Sequence, residues 1–340
     1  MQLISEIQKC SSLSIVGMAK NVGKTVTLNY LLGELQHSDK QIAVTSIGID
    51  GEGIDQVTAT AKPEIILYDG MMFVTSEKHY ISRQLTSEIM HLSNHRTSLG
   101  RLVTAKTRVT GKVLLSGPAD TATLQQLIAH NKMMGVDLTI VDGALSRLSL
   151  ASPSVTEATI LATGAAISAK IAHLVKQTKH QCDIVQLEQV DNDILSKLTL
   201  LHSGVWIINK EGEVRDLGVR SALMAGRLIT EQLLNDTLYI YIAGALSDSF
   251  LDHLRMQKSM DKVTLVVQDF TKVFASPESI TAFFRKGGKL KVLYKTRLLA
   301  ITVNPTSPEG YVLNSQEVCS ALQDALELPV YDVRQLNNQK

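Results

Sequence analysis

The chain has 340 residues, of which 44% are hydrophobic and 20% are charged, a composition that excludes a disordered, collagen-like or coiled-coil protein. Its 34 lysines and arginines nearly balance its 33 aspartates and glutamates, so no bulk positive charge favours nucleic acid or an anionic membrane as a partner. The length exceeds the usual ~100–200 residues of a single domain, and it therefore predicts two domains.

The spacing of the cysteines and the length of the apolar runs indicate the cellular compartment of the protein. Cys10, Cys182 and Cys319 stand far apart without Cys-x-x-Cys spacing, which favours neither a disulfide framework nor a zinc site and fits a reducing environment. The first residues lack the basic and apolar regions of a signal peptide, and no later run reaches about 18 apolar residues. We therefore expect a cytoplasmic protein that is neither exported nor membrane-spanning.

The first half of the chain alternates short apolar runs with helical patterns, which is typical of parallel βαβ units. A first strand at 13–16 is followed by a loop at 17–25 and a helix at 26–35. This order predicts an α/β fold with a largely parallel sheet and helices on both faces. Further strands are predicted at 42–47, 64–68, 102–109, 112–115, 136–141 and 158–163, and further helices at 77–85, 122–134 and 165–176.

The pattern loosens between residues 190 and 235. Residues 205–214 predict a hairpin, because a polar turn joins two extended stretches. An α/β pattern then resumes, and we place a domain border near residue 200, with a first domain at 1–200 and a second α/β domain of interaction or regulatory role at 201–340. Its strands are predicted at 238–242, 263–267, 291–294 and 299–303, and its helices at 248–257, 277–285 and 316–326.

The strongest chemical signal is the loop Gly-Met-Ala-Lys-Asn-Val-Gly-Lys-Thr at 17–25, which stands between a buried strand and a helix. In a phosphate-binding loop, main-chain N–H groups and the positive end of the following helix hold the phosphates. We expect Lys24 to reach the terminal phosphates and Thr25 to bind Mg²⁺. The loop predicts a P-loop NTPase-type first domain. The predicted nucleotide contacts are Gly17, Lys20, Asn21, Val22, Gly23, Lys24, Thr25 and Val26.

Carboxylates at the ends of neighbouring strands complete such sites by reaching the metal. Asp142 follows the apolar run 136–141, at the edge where sheet ligands bind, and is the first candidate; an ordinary Asp-Gly turn is the alternative. Asp50 follows the second strand and is the second candidate, with a solvated acidic turn as the alternative. We predict Lys24, Asp142 and Asp50 as catalytic residues, and Thr25, Asp142 and Asp50 as metal ligands.

The spacing of the loop, with five residues between Gly17 and Gly23, resembles that of dethiobiotin synthetase and its relatives among the P-loop proteins. Many MinD-like relatives carry a further lysine at the position of Ala19. Together with the segments 45–52, 142–149 and 303–311, the loop gives the chain a resemblance, over nearly its full length, to the smaller subunits of lysine 5,6-aminomutase reactivases.

This resemblance implies an ATP-dependent factor that acts with a second reactivase subunit on an adenosylcobalamin-dependent aminomutase, so that damaged cobalamin leaves and intact cofactor enters. It implies ATP and Mg²⁺ as cofactors, with Lys24, Thr25 and Asp142 in the roles given above. A homodimer is a further expectation, and neither nucleic acid nor a membrane is expected as a partner. ATP is favoured over GTP, because position 212 is glycine where a guanine-specific motif needs aspartate.

Two other functions stay open. One is a ligase like dethiobiotin synthetase that activates a carboxylate with ATP. The other is a nucleotide-binding scaffold or sensor without turnover.

Overall fold

The computed structural model describes residues 2–47, 64–144 and 152–338. The chain divides into two compact units, one formed by Met1–Lys179 with Arg297–Lys340 and the other by His180–Thr296. Within the described residues, no helix combines the length and the apolar character needed to cross a membrane.

The first unit is built on a mixed, mostly parallel sheet. Its strands are β1 (Ser12–Gly17), β2 (Ile42–Ser46), β3 (Ile65–Leu67), β4 (Met72–Ser76), β5 (Gln84–Thr97), β6 (Gly100–Val113), β7 (Leu138–Ala144), β8 (Ala158–Gly164), β14 (Arg297–Asn304) and β15 (Val330–Asp332). The described strands follow the order β15-β14-β8-β1-β7-β2-β4-β6-β3, with β5 paired to β6. Strands β15 through β4 are parallel to one another, and β6 is antiparallel to β3, β4 and β5.

Helices cover both faces of this sheet, because its central strands are apolar on both sides. Leu28 and Leu32 pack on the face that includes Ile140, whereas Leu124 packs on the face that includes Val141. Ile140 and Val141 are consecutive, and consecutive strand residues point to opposite faces. The helices are α1 (Gln2–Ile7), α2 (Lys24–Leu35), α3 (Glu77–Ile81), α4 (Thr121–Met133), α5 (Ile171–Val185), α11 (Ser315–Leu326) and α12 (Val333–Asn338).

The second unit contains a smaller sheet with the order β10-β9-β11-β12-β13 among its described strands. The strands β11, β12 and β13 are parallel, and β9 is antiparallel to both β10 and β11. Its strands are β9 (Val205–Asn209), β10 (Val214–Asp216), β11 (Thr237–Ile242), β12 (Thr264–Val267) and β13 (Lys289–Val292), and its helices are α6 (Asn192–Leu198), α7 (Ala222–Ala225), α8 (Glu231–Asp236), α9 (Asp248–Arg255) and α10 (Pro277–Arg285). The predicted hairpin at 205–214 is confirmed as β9 and β10.

The α/β class with a mostly parallel sheet flanked by helices is confirmed, but one predicted helix is wrong. Residues 77–85 were expected to form a single helix, whereas α3 ends at Ile81 and β5 begins at Gln84. The two strands predicted at 102–109 and 112–115 form one strand, β6, because β5 pairs along it from Gln84 to Thr97. The strand β4 lay outside every predicted element.

The division into units also differs from the border predicted near residue 200. The last 44 residues, 297–340, return to the first unit, because β14 pairs in parallel with β8 and β15 pairs with β14. Local patterns of apolar residues do not encode which distant strand becomes the neighbour, so this return has no signal in the sequence pattern.

Candidate functional site

The glycine loop, residues 17–25, leaves β1 at the carboxyl edge of the parallel strands. β1 lies between β7 and β8. The chain continues from β1 to β2 on one side, and later crosses from β7 over to β8 on the other side. Such a reversal of strand order opens a crevice at the carboxyl ends of the strands, where open α/β sheets bind their ligands. The predicted loop therefore lies at the position in the sheet that suits a ligand.

Two residues in left-handed conformation turn the chain from strand to helix. Asn21 has a φ of 61° and Gly23 a φ of 88°, and α2 begins directly afterwards at Lys24. Asparagine tolerates this conformation and glycine adopts it without steric cost. Gly23 caps α2 without a side-chain hydrogen bond, and the first turn of the helix carries no acidic residue. The N–H groups of this turn can therefore hydrogen-bond an external anion.

The side chain of Lys24 passes back over the end of β1. A methyl group at Gly17 would lie 2.7 Å from both Cγ and Cδ of Lys24, and 2.8 Å from Cγ2 of Val22. Val22 is buried and anchors the loop, whereas Lys24 is only partly buried. None of the described acidic residues forms an ion pair with Lys24. The Cγ and Cδ atoms of Lys24 thus lie at the end of β1, beside the loop.

Asp142 lies inside β7, on the face of the sheet that α2 covers. It pairs with Ile15 of β1 and with Ser46 of β2. Strand alternation gives it the side-chain direction of Ile140, which packs in the core beneath α2. The strand continues to Ala144, which rules out the alternative of an Asp-Gly turn directly after the apolar run. Asp142 and the first turn of α2, which contains Thr25, therefore share one face near the same edge.

Asn304 is a site residue to which the sequence assigned no role. It is the last residue of β14, and its Nδ2 donates a hydrogen bond of 2.9 Å to the main-chain oxygen of Asn21. Its own main-chain oxygen accepts from the N–H of Ala165 at 2.9 Å, and a methyl group at Gly164 would lie 2.3 Å from that oxygen. A polar residue between a buried strand and a proline, as in Val303-Asn304-Pro305, is the signal that could have indicated it.

The remaining predicted contacts are distributed as follows. Lys20 and Asn21 are exposed at the tip of the loop, and Thr25 and Val26 are partly buried. Asp50 lies outside the described residues. At the end of β2, the carbonyl oxygen of Asp142 accepts hydrogen bonds of 3.3 Å from Ser46 Oγ and from Ile47 N.

The side-chain oxygens at this edge suit a Mg²⁺ ion that is bound together with a nucleotide better than they suit a metal ion held by protein ligands alone. Within the described ranges, no cluster of three or more His, Cys, Asp or Glu side chains could hold a metal ion. A Mg²⁺ ion in a phosphate site needs only one or two protein oxygens, since phosphate and water oxygens supply the rest. Thr25 and Asp142 are the residues that could provide those protein oxygens.

A serine and a histidine meet elsewhere in the first unit. His79 Nδ1 lies 2.9 Å from Ser116 Oγ, and Ser116 Oγ donates to Ser76 Oγ at 2.8 Å. Only 5% of His79 and 2% of Ser116 are exposed, so neither side chain can meet a substrate. This cluster joins β4 to the segment after β6 and has no arrangement for nucleophilic catalysis.

A cavity of about 490 Å³ lies at the opposite, amino edge of the sheet. Ser11 precedes β1 and Thr139 stands near the start of β7, and both line it. Its charged lining residues are Lys132 and Asp137, both exposed. The described residues that line the cavity include none from the loop and none from the first turn of a helix, and the left-handed Gly135 among them follows the end of α4 rather than preceding a helix. The chemistry therefore favours the glycine loop as the functional site.

Comparison with protein-family models gives no match, and no curated protein matches the chain.

Proposed function

We propose that this chain binds Mg-ATP at the glycine loop and hydrolyses it. The observation that carries the proposal is the passage of Lys24 across Gly17, at a loop that ends in the uncapped N-terminus of α2. A lysine held over a turn of main-chain N–H groups is the arrangement that phosphate-binding loops use for a triphosphate.

Each residue has a role in this proposal. The N–H groups of residues 19–25 would donate to the phosphate oxygens, whereas Met18 N already donates to the carbonyl oxygen of Ala162. The Lys24 ammonium would neutralise charge on the terminal phosphates. Thr25 and Asp142 would hold the metal, directly or through water. A bound Mg²⁺ ion would supply charge neutralisation at the β- and γ-phosphates. Asp50 is proposed to orient the attacking water, because it follows β2, the strand next to β7.

The sequence resemblance extends the proposal to a biological role. We infer that the chain is the smaller subunit of a reactivase, which works in the cytoplasm with a second subunit on an adenosylcobalamin-dependent aminomutase. ATP hydrolysis would drive reactivation if the nucleotide-bound and nucleotide-free states of the chain differ in affinity for the inactivated mutase. A ligand shifts an equilibrium only through such a difference in affinity.

Lys24→Ala tests the nucleotide site. We expect this variant to bind a non-hydrolysable ATP analogue at least about tenfold more weakly than the wild type, as measured by calorimetry. The matched control is Lys210→Ala, which removes an exposed lysine from the second unit. Melting temperature checks that both variants fold. Unchanged affinity in a folded Lys24→Ala variant would remove the loop from the proposal.

Asp142→Asn separates binding from turnover. Without the carboxylate, affinity for the analogue in the absence of Mg²⁺ should stay near that of the wild type, whereas the gain in affinity on adding Mg²⁺ should shrink. ATP hydrolysis should fall by about a hundredfold or more, the range for loss of a charge-stabilising group. An unchanged response to Mg²⁺ would take Asp142 out of the metal site.

The reactivase role is tested with inactivated aminomutase and the second subunit. We expect ATP, but not its non-hydrolysable analogue, to restore mutase activity when intact cobalamin is supplied. ADP formation that requires only a small carboxylate would instead favour the ligase, and tight binding without phosphate release would favour the scaffold.

A further inference from the structure

The strand β5 forms the outer edge of the first unit's sheet. It pairs with β6, and no other strand in the described part of the chain pairs with it. It is 14 residues long. The outer N–H and C=O groups of such an edge strand are a template for another extended chain. Proline and lysine, which commonly block edge pairing, are both missing from Gln84–Thr97.

Apolar side chains are exposed in the middle of this edge. Ile89 is 54% exposed, Met90 47% and Leu92 38%. The register shifts between Ile89 and His91, because two residues along β5 correspond to one residue along β6. Ile89 therefore stands opposite Ala105, and Leu92 stands opposite Val103. Ala105 and Val103 belong to the same face of the core. The edge therefore continues the apolar face of the sheet outwards into solvent.

The hairpin of β5 and β6 carries a surplus of positive charge. Its two strands contain five arginines and lysines against one acidic residue, Glu88. Three side chains here, Arg83, Arg96 and Lys106, form no ion pair with a described residue. The ion pairs that do form are Arg101–Glu77, Arg108–Glu88 and Lys112–Glu64. Glu64, Glu77 and Glu88 are thus already paired, whereas Arg96 and Lys106 are not.

This charge decides between possible occupants of the edge. A second copy of the chain would bring the same positive surplus against it, and like charges placed together oppose association. An acidic chain would complement it.

We propose that the outer edge of β5 binds an extended, acidic segment of a partner protein, which adds a strand to the sheet. Main-chain hydrogen bonds would give affinity, as in other cases of strand addition. Apolar residues of the segment would contact Ile89 and Leu92, and its carboxylates would pair with Arg96, which lies on β5 itself. This inference is independent of nucleotide binding.

Two labelled peptides of about ten residues, the length of a long strand, test the proposal on the full chain. One alternates valine with glutamate, and the other alternates valine with lysine. We expect fluorescence anisotropy to show binding of the acidic peptide, at least about tenfold tighter than that of the basic one, and weakening with added salt. Hydrogen exchange should slow at the main-chain amides of β5, which adsorption without strand pairing would not produce.

Charge reversal supplies the variants. Arg96→Glu should weaken binding of the acidic peptide by about tenfold or more, whereas the matched control Arg215→Glu, at an exposed residue of the second unit, should leave it unchanged. The double variant Ile89→Ser with Leu92→Ser keeps the charge of the edge but removes its apolar contacts, so it should also weaken binding of the acidic peptide. Melting temperatures check that all variants fold.

Four results would overturn the proposal. They are absence of binding by the acidic peptide, equal binding of both peptides, tighter binding of a single-stranded oligonucleotide than of the acidic peptide, and protection of β5 amides by dimer formation seen in light scattering. The third result would indicate a nucleic acid at this edge, and the fourth a second copy.

Discussion

The side chain of Lys24 crosses the α-carbon of Gly17 so closely that a methyl group there would lie 2.7 Å from two of its methylene carbons. This separation is far inside van der Waals contact. An alanine at position 17 would therefore have to displace the side chain of Lys24 and that of Val22. Glycine at position 17 thus leaves room for the Lys24 side chain to lie against the end of β1.

Gly17→Ala should displace Lys24 and weaken the proposed binding of an ATP analogue by about tenfold, or about 1.4 kcal/mol. Calorimetry measures this directly. Gly244→Ala is the matched control, because a methyl group at Gly244 meets no heavy atom within 4 Å. Equal affinities for Gly17→Ala and the wild type would mean that the position of Lys24 does not matter to the ligand.

Asn304→Ala should lower the free energy of unfolding by about 1 kcal/mol, the usual net value of one hydrogen bond. The variant removes the donor to Asn21 and leaves the loop less well ordered, so the affinity for the ATP analogue should fall as well. Urea denaturation and calorimetry provide the two measurements. Asn192→Ala removes an exposed asparagine and should change neither. If Asn304→Ala retained full affinity, the loop would hold its shape without β14.

Gly117→Ala should destabilise the first unit strongly. A methyl group at Gly117 would lie 1.7 Å from the main-chain oxygen of Ser46, which belongs to β2 and cannot move without disturbing its pairing with β7. We expect a loss of about 3 kcal/mol or more in urea denaturation, as for other severe steric changes in a core. The Gly244→Ala control should stay within about 0.5 kcal/mol of the wild type. A similarly small change for Gly117→Ala would show that the segment after β6 shifts freely.

Acid should weaken the folded state through His91. Burial, and then the neighbouring His130 ring, whose centroid is 4.4 Å away, lower the pKa of His91. Between this lowered pKa and the unfolded value of about 6.5, the unfolded chain binds more protons than the folded chain. Stability is therefore fully present above about pH 6.5 and is lost as the pH falls below it.

The measurement is the free energy of unfolding as a function of pH. His91→Gln should reduce its slope below about pH 6.5, and His37→Gln, which changes an exposed histidine, should not. Burial also lowers the pKa of His180 in the second unit, so a part of the slope should persist in His91→Gln. An unaltered slope in His91→Gln would contradict the assignment.

Much of the first unit could be predicted from local pattern. The loop at 17–25 was placed between a strand and a helix because glycine spacing and apolar periodicity are properties of neighbouring residues. The hairpin at 205–214 followed from its polar turn in the same way. The helix predicted at 77–85 failed because the strand alternation that begins at Gln84 follows a short helix without a break in composition.

The sequence by itself determined the α/β class, the glycine loop and the position of Asp142 at the end of an apolar run, since each depends on residues within one or two turns or strands, whereas the structure extends that strand past Asp142 to Ala144. Only the tertiary structure decided that Asn304 reaches Asn21, that residues 297–340 complete the first sheet, and that β5 forms its edge. Those relationships join residues hundreds of positions apart or depend on which strands become neighbours. Long-range pairing is selected by the packing energy of the whole sheet, and no local pattern carries that information.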